Sequence, residues 1–467
     1  MRKGTSDDAF STQDAPIHSR KTGTTSMPGV ERIKTNVNSG KRDRPLEIVI
    51  AGLGTPGDIH PLLAIATGLK LAGHRVTFIA NPVFGEQVKA RGLVFTPVGS
   101  ESFYTKFVND PDSWTWPRCS EIAFREGWIP HIEPFYRGVI ESAGSSRVVV
   151  ISNGIPIGAQ IAAEHQGWPF ITVATSPVYL RSVWETPRYG PFAWYGGRLF
   201  KRAAYRVLDF YIDRLIARPV NTFRSTLGME PVSRIYTTSM NSKECIIALW
   251  PKWYAAPQPD WPDHVLLTGF IIEDRSDFPS TDDIPKLQPA EGHPPIVMTT
   301  GSATTHAAEF IQAAAEASQI LGRNFIVTTG HPTKLGRSAS PNLIVQSYIP
   351  FSRLFPQAAA VVHHGGVGTI AVAIASGVRQ VIIPMAFDQF DNAARASRLG
   401  VARILRRSRL NGARLAATLN SVLNSAKFAD ACDKFKTRID SSSSLTQIVS
   451  RIKAIGCGTR ATKPPMP

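Results

Sequence analysis

From Leu46 to Leu53 the chain runs LEIVIAGL, a continuous apolar stretch of strand length, and Pro61–Ala72 follows with apolar positions recurring at threes and fours. A short run that is apolar throughout fits a strand buried on both faces, and the longer period fits a helix packed on it. The couplet repeats. Arg75–Ala80 (RVTFIA) predicts a second strand and Phe84–Arg91 a second helix, while Val148–Ser152 and Phe170–Ala174 predict strands flanking a helix over Ile157–His165. Residues 271–294 (IIEDRSDFPSTDDIPKLQPAEGHP) break this rhythm with Asp, Pro and Ser, a linker composition. Beyond them the couplets resume. Ile296–Thr300, Asn324–Thr328, Ala359–His363 and Gln380–Pro384 read as strands, and Ala307–Leu321 and Gly368–Ser376 as helices. Strands alternating with helices predict two doubly wound α/β domains, over residues 46–270 and 295–455. Ligands in such sheets lie beyond the carboxyl ends of the strands, so the cleft between the domains is the expected site. Residues 1–45 are polar with almost no aromatics and read as a disordered basic tail, and residues 456–467 as a second tail.

Composition narrows the class. The 467 residues are 43% hydrophobic and 19% charged, a globular mixture long enough for two large cores. No stretch offers eighteen consecutive apolar residues, which excludes a transmembrane helix, and Met1–Pro45 lacks the apolar segment of a secretory signal. The four cysteines (Cys119, Cys245, Cys432, Cys457) form no C-x-x-C pair, which argues against a zinc ribbon or disulfide scaffold and predicts a cytoplasmic protein. Residues 1–45 and 401–467 hold fourteen of the sixteen excess positive charges. That distribution fits contact with an anionic surface, membrane or nucleic acid, or a solvated basic face of no function, better than a central nucleic-acid groove. Nucleic acid is nonetheless not an expected partner.

Three motifs carry candidate chemistry. Gly52-Leu53-Gly54-Thr55-Pro56-Gly57 is a formal G-x-G-x-x-G between strand and helix, but the second strand ends Ile79-Ala80-Asn81-Pro82 without the acid a dinucleotide ribose needs. What remains is a tight turn with Asp58 just after it, a helix cap or a general base. Val362-His363-His364-Gly365-Gly366-Val367-Gly368-Thr369 sets three glycines and a Thr at a helix start, where backbone N–H groups and the helix dipole favour a diphosphate without a metal. Pro384–Ala393 (PMAFDQFDNA) places Asp388 and Gln389 at a strand-to-helix turn, suited to vicinal sugar hydroxyls or to capping. Asp110-Pro111-Asp112 is the only D-x-D; it follows no buried strand and reads as a turn.

These residues together resemble the nucleotide-sugar-dependent glycosyltransferases of family 1, of the UDP-glycosyltransferase superfamily. The resemblance is strongest in GTPGDIHPLLAIATGL, YIPFSRLFPQAAAVVHHGGVGT and PMAFDQFDNA, and looser over residues 100–240. Within the family it points to the bacterial branch acting on antibiotic aglycones, sterols and lipids, including rhamnolipid rhamnosyltransferase. The resemblance implies the two-domain GT-B fold, a nucleoside-diphosphate sugar donor, a hydrophobic acceptor and no cofactor. It implies Asp58 as catalytic base and His363, Gly365, Gly368, Thr369, Gly301 and Ser302 as the diphosphate site. Asp388 and Gln389 would hold the donor sugar, and Tyr348 and Ile349 the nucleobase. Relatives using UDP-sugars commonly carry a Glu where this chain has Ala371, which tilts the expectation towards dTDP-deoxysugars. A nucleotide-sugar 2-epimerase of the same fold and a catalytically silent partner protein are the competing readings.

One further segment is unusual. Residues 181–218 hold nine aromatics and eight basic residues against three acids, and Leu199–Arg218 is helical in period. Rings beside cations suit an element that borders a hydrophobic acceptor pocket and meets an anionic membrane, or an ordinary helix with solvated arginines.

Overall fold

The computed structural model describes residues 44–115, 117–144, 147–188, 190, 196–273, 293–301, 307–329, 342–346 and 349–458. Most of the expected tails and linker, with Ser302 and Tyr348, lie outside that set. Two parallel sheets form the fold. The first contains β1 (Glu47–Ala51), β2 (Arg75–Ala80), β3 (Val94–Pro97), β4 (Val148–Ser152), β5 (Phe170–Ala174), β6 (Cys245–Ala248) and β7 (Val265–Leu267), in the order β3-β2-β1-β4-β5-β6-β7. The second contains β8 (Ile296–Thr299), β9 (Phe325–Thr328), β10 (Leu343–Gln346), β11 (Ala360–His363), β12 (Arg379–Ile382) and β13 (Ala402–Ile404), in the order β10-β9-β8-β11-β12-β13. Strand order reverses between β1 and β4 and between β8 and β11, the crevices where doubly wound sheets bind ligands.

The apolar runs are buried on both faces. Ile48 and Ile50 pack with Leu62, Phe78 and Val149, whereas Val49 and Ala51 pack with Phe135 and Val150 on the other side. The first helix spans Pro56–Leu71, beginning before the predicted Pro61. Proline is already set for the first helical position, and Thr55 and Asp58 cap the start reciprocally, so the turn winds directly into helix.

The two sheets meet through a dry contact in which Ala174, Trp250 and Tyr254 pack with Ile370, Ala371 and Ala393. The last helix, Ser441–Gly456, departs from the expected domain division. Although it follows the second sheet in sequence, its Ile448 and Ile452 join the first core beside Leu46, Ile48 and Leu62. Leu445 and Val449 complete the stripe against Gly68, whose missing side chain permits the approach. Residues 101–142, not resolved into elements by pattern, fold as short helices and turns whose Trp114 reaches across to Phe387, ring centroids 6.0 Å apart.

Candidate active site

Asp58 sits at the mouth of the β1/β4 crevice as the third residue of the first helix, with Thr55 rather than Asp58 as the N-cap. Its Oδ2 accepts from the Thr55 backbone N–H at 2.9 Å and from the Thr55 hydroxyl at 3.2 Å. Both bonds from Thr55 fall on one oxygen, so the cap does not occupy Oδ1. Burial raises the Asp58 carboxyl to about 6, against the pull of Thr55 and Tyr179. Gly54 has φ +132°, and a Cβ there would strike the Asp58 carboxylate. The G-x-G therefore shapes space for an acid rather than for a pyrophosphate.

The second sheet supplies a polar wall. Behind β11 the chain turns through Gly365 and Gly366 into the helix Val367–Ser376, so Gly368 and Thr369 stand at a helix N-terminus on the cavity. The two histidines behave differently. His363 is fully buried and does not line the cavity: its Nε2 bonds Gln380 Oε1 at 3.1 Å and its Nδ1 accepts from Gly365 N–H at 3.2 Å. Gln380 pairs with Val361, two residues before His363, so the alternation of β11 keeps this ring on the inner face of the sheet. The next residue, His364, turns to the cavity. The His363 ring and the Gly365 N–H, both expected at the diphosphate, are thus bonded to each other. Burial lowers His363 to about 3 and His364 to about 4, so both rings are neutral at pH 7.

Gly301 lies beside His364 with φ +63°, and any side chain there would collide with the imidazole. Thr328 and Thr329 also line the cavity, and their hydroxyls, like His364 Nδ1, are buried without a hydrogen-bond partner among the described residues. Ile349 does not reach the cavity: it is buried beside Leu354 and Phe355, and Phe351 faces the cavity instead. Ala371 points into the contact between the domains, and the helix shows Val372 to the cavity.

Asp388 and Gln389 stand opposite Asp58 on the same cavity. Gln389 Oε1 accepts from the Met385 and Ala386 N–H groups at 2.8 and 3.1 Å, which fixes its amide. Burial raises Asp388 to about 7, and the Asp58 charge pushes the same way.

The cavity holds about 940 Å³. Its first-domain half is lined by Phe103, Tyr104, Phe124, Trp128, Tyr179 and Tyr236, together with Leu208, Tyr211 and Ile212 of the long helix Arg198–Thr226. Asp110 and Asp112 take no part in it: Asp110 accepts from the Asp112 N–H, and Asp112 pairs with Arg118 at 2.8 Å.

Known proteins share both halves. Residues 48–184 match the glycosyltransferase family 28 N-terminal domain, and residues 319–455 match the C-terminal domain of the erythromycin biosynthesis protein CIII-like family. O-mycaminosyltylonolide 6-deoxyallosyltransferase of Streptomyces fradiae is 29% identical over 402 residues, covering 82% of this chain and 91% of that protein. The chain is a glycosyltransferase, similar in both halves to the enzymes of family 1.

Sterol 3-beta-glucosyltransferase of Debaryomyces hansenii is 24% identical to the transferase over 86% of this chain, which spans only 26% of that longer protein. Among solved structures, the glycotransferase of kitacinnamycin superposes with TM-score 0.69 at 19% identity, covering 88% of this chain and 99% of that one. The calicheamicin glycosyltransferase CalG4 gives 0.65 at 19% identity, with coverage of 90% and 100%. These likenesses place the transferase in the GT-B fold. Of the residues lining this cavity, the sequence points to Asp58, Gly301, Gly368, Thr369, Asp388 and Gln389 and does not point to His364, Thr328, Thr329 or Phe351. The doubled histidine was the available signal for His364.

Proposed function

We propose that the transferase moves a hexose or deoxyhexose from a nucleoside-diphosphate sugar to a hydroxyl of a hydrophobic acceptor (lipid, sterol or natural-product aglycone), with inversion at the anomeric carbon. The observation that carries this is a single cavity with an aromatic half bearing a carboxylate and a polar half bearing a helix N-terminus. Asp58 takes the proton as the acceptor oxygen attacks, and the diphosphate leaves towards Thr369, the Gly368 turn and His364. General-base assistance contributes about 10²–10⁴ in rate, and stabilising the leaving charge is a further large term. A metal has no assigned step in this mechanism, because the helix terminus and hydrogen-bond donors meet the phosphate charge. The aromatic half favours transfer over 2-epimerisation, which needs no large acceptor pocket.

The finer reading is a dTDP-deoxysugar donor, rhamnosyl transfer among the candidates. Val372 and Ala371 offer no carboxylate to a ribose 2′-hydroxyl, which suits a nucleotide lacking one. The sterol glucosyltransferases and the Streptomyces deoxyallosyltransferase are named for acceptors with large apolar bodies, which supports an aglycone, sterol or lipid here. We place the activity in bacterial glycolipid or secondary-metabolite biosynthesis, in the cytoplasm and at times on the inner membrane face. No helix among the described residues is long and apolar enough to cross a membrane.

A transfer assay pairing dTDP- and UDP-sugars with sterol, macrolide and hydroxy-lipid acceptors, with and without EDTA, tests this. Product of inverted configuration, formed equally with EDTA, is expected. Nucleotide-sugar epimerisation without transfer, or full dependence on added Mg²⁺, would overturn it.

A further inference from the structure

The residue that ties the two halves of the site together is Asn392, one turn after Asp388 on the helix Gln389–Arg398. It is fully buried. Its Nδ2 donates to Asp388 Oδ2 at 2.7 Å and to the Gly365 carbonyl at 3.1 Å. Its Oδ1 accepts from the Ser176 hydroxyl at 2.9 Å and lies 3.5 Å from the Tyr254 hydroxyl. Ser176 follows β5 and Tyr254 follows β6, so both belong to the first sheet, whereas Asp388 and Gly365 belong to the second. The amide therefore faces acceptors of one domain with its nitrogen and donors of the other with its oxygen. Reversing it would set Oδ1 against a carboxylate and a carbonyl.

This arrangement has consequences for both subsites. Donation to Oδ2 fixes the plane of the Asp388 carboxylate, which the Ser176 hydroxyl also approaches directly. Donation to Gly365 holds that carboxylate at a set distance from the turn that precedes Gly368 and Thr369. The Ser176 hydroxyl makes the whole arrangement depend on contact with the acceptor domain. Nearby polar contacts run between the same elements: the Arg188 N–H donates to Asp391 at 3.0 Å, and Glu185 pairs with Arg395 at 3.1 Å. Those pairs join the domains but do not touch Asp388; Asn392 does both.

We propose that Asn392 is a positioning residue that aims Asp388 at the donor sugar, and that the Ser176 hydroxyl from the opposite domain completes this aim when the domains are in contact. The proposal rests on the reading of Asp388 as the sugar-binding carboxylate. Its role differs from that of Asp388 in that Asn392 acts through another side chain. It also predicts that a first-domain change far from the nucleotide alters handling of the sugar.

The test compares wild type, Asn392→Ala, Ser176→Ala and Ser176→Thr, using dTDP and dTDP-glucose in calorimetry and the best donor–acceptor pair in kinetics. Losing a hydrogen bond to a charged group changes an equilibrium by a factor of about 10 to 100. Asn392→Ala is expected to lower kcat and raise donor KM on that scale, while affinity for dTDP moves less than about twofold. Ser176→Ala should shift both in the same direction by a smaller factor, and Ser176→Thr, which keeps the hydroxyl, should restore them. If Asn392→Ala fails to fold, the serine pair carries the test. Wild-type kcat and donor KM in Ser176→Ala overturn the proposal, as does a fall in dTDP affinity that matches the fall in kcat. A wild-type protein that transfers no sugar defeats the proposed function instead. The clasp is then judged on amide exchange: residues 385–392 must exchange faster in Ser176→Ala, and unchanged exchange overturns it.

Discussion

His363 and His364 are neighbours with opposite fates, and the contrast makes the proposed diphosphate contact testable. His363 completes an internal network with Gln380 and the Gly365 N–H, while His364 shows its ring to the cavity. His364→Ala is expected to weaken nucleoside-diphosphate binding about tenfold with little change in melting temperature. His363→Ala strips a buried partner from two groups, a loss of about 1–3 kcal/mol each, and should lower the melting temperature while affinity stays nearly constant. Calorimetry and thermal melting of both variants check this, and the reverse pattern would return the role to His363. Asp58 gives a second test. Asp58→Asn keeps an oxygen for Thr55 but cannot take a proton, so turnover should fall about 10²–10⁴-fold. In the wild type, transfer should rise with pH through about 6, where burial has moved the Asp58 carboxyl, with Asp388, raised by burial to about 7, shaping the upper part of the limb. The stability sign is opposite. A carboxyl raised above its unfolded value binds more protons in the native state, so its contribution is present at low pH and lost as pH rises through about 6. Asp58→Asn lacks that loss, and its melting temperature should gain on wild type between pH 4.5 and 7.5. A constant difference across that range would show that Asp58 titrates as in water.

Among the elements, the long helix Arg198–Thr226 makes the clearest prediction. One face is buried through Tyr205, Ile212, Ile216 and Val220, and Leu208 and Tyr211 border the cavity. The opposite face is apolar yet open: Leu199, Phe200, Val207 and Phe210 are 79%, 60%, 68% and 65% exposed. Arg202, Arg206, Arg214 and Arg218 are exposed on the same helix. Its two acids turn away: Asp209 is buried, and Asp213 accepts the Arg234 and Ile235 N–H groups. Arg181 leaves the expected basic set, since it lies over the Tyr236 ring at 4.8 Å and pairs with Asp209. A face of rings and cations without acids fits an anionic bilayer, at about 1 kcal/mol per arginine near the surface. The transferase should therefore sediment with phosphatidylglycerol vesicles at low salt, and not at high salt or with phosphatidylcholine alone. Phe200→Ser with Phe210→Ser should abolish sedimentation without changing transfer to a water-soluble acceptor, since neither ring lines the cavity. No sedimentation of wild type at low salt would leave this face to ordinary solvent. The strands β1, β4 and β5 are legible because burial on both faces writes a continuous apolar run, whereas β6 (CIIA), equally buried, is too short to stand out. The short edge strands β3 and β10 are not legible either, because half-buried runs such as VFTP and LIVQ carry no clear period. Residues 101–142 failed for a related reason: their apolar side chains line a cavity and a domain contact rather than one helix stripe.

At the scale of the molecule, sequence order and packing order disagree at the C-terminus. The helix Ser441–Gly456 leaves the second sheet and closes the first core, with Ile448 and Ile452 fully buried against residues some four hundred positions earlier. The Ser444 hydroxyl donates to the Thr268 carbonyl beyond β7 at 2.7 Å, pinning the start of the helix to the first domain. Such a strap makes the first domain depend on a segment that follows the whole second sheet in the chain. An Ile→Ala change at a buried site costs about 2–5 kcal/mol, a large share of the 5–15 kcal/mol typical of a folded domain. Ile448→Ala should consequently destabilise the first domain selectively. Hydrogen exchange read by mass spectrometry is expected to speed up in β1 and in the helix Pro56–Leu71, while β8, β11 and β12 keep their wild-type protection. Donor binding, which uses the second sheet, should persist at temperatures where acceptor transfer has already failed. Equal acceleration in β1 and β8 would mean that the two sheets unfold as one unit, with the dry contact through Trp250 and Ile370 dominating over the strap.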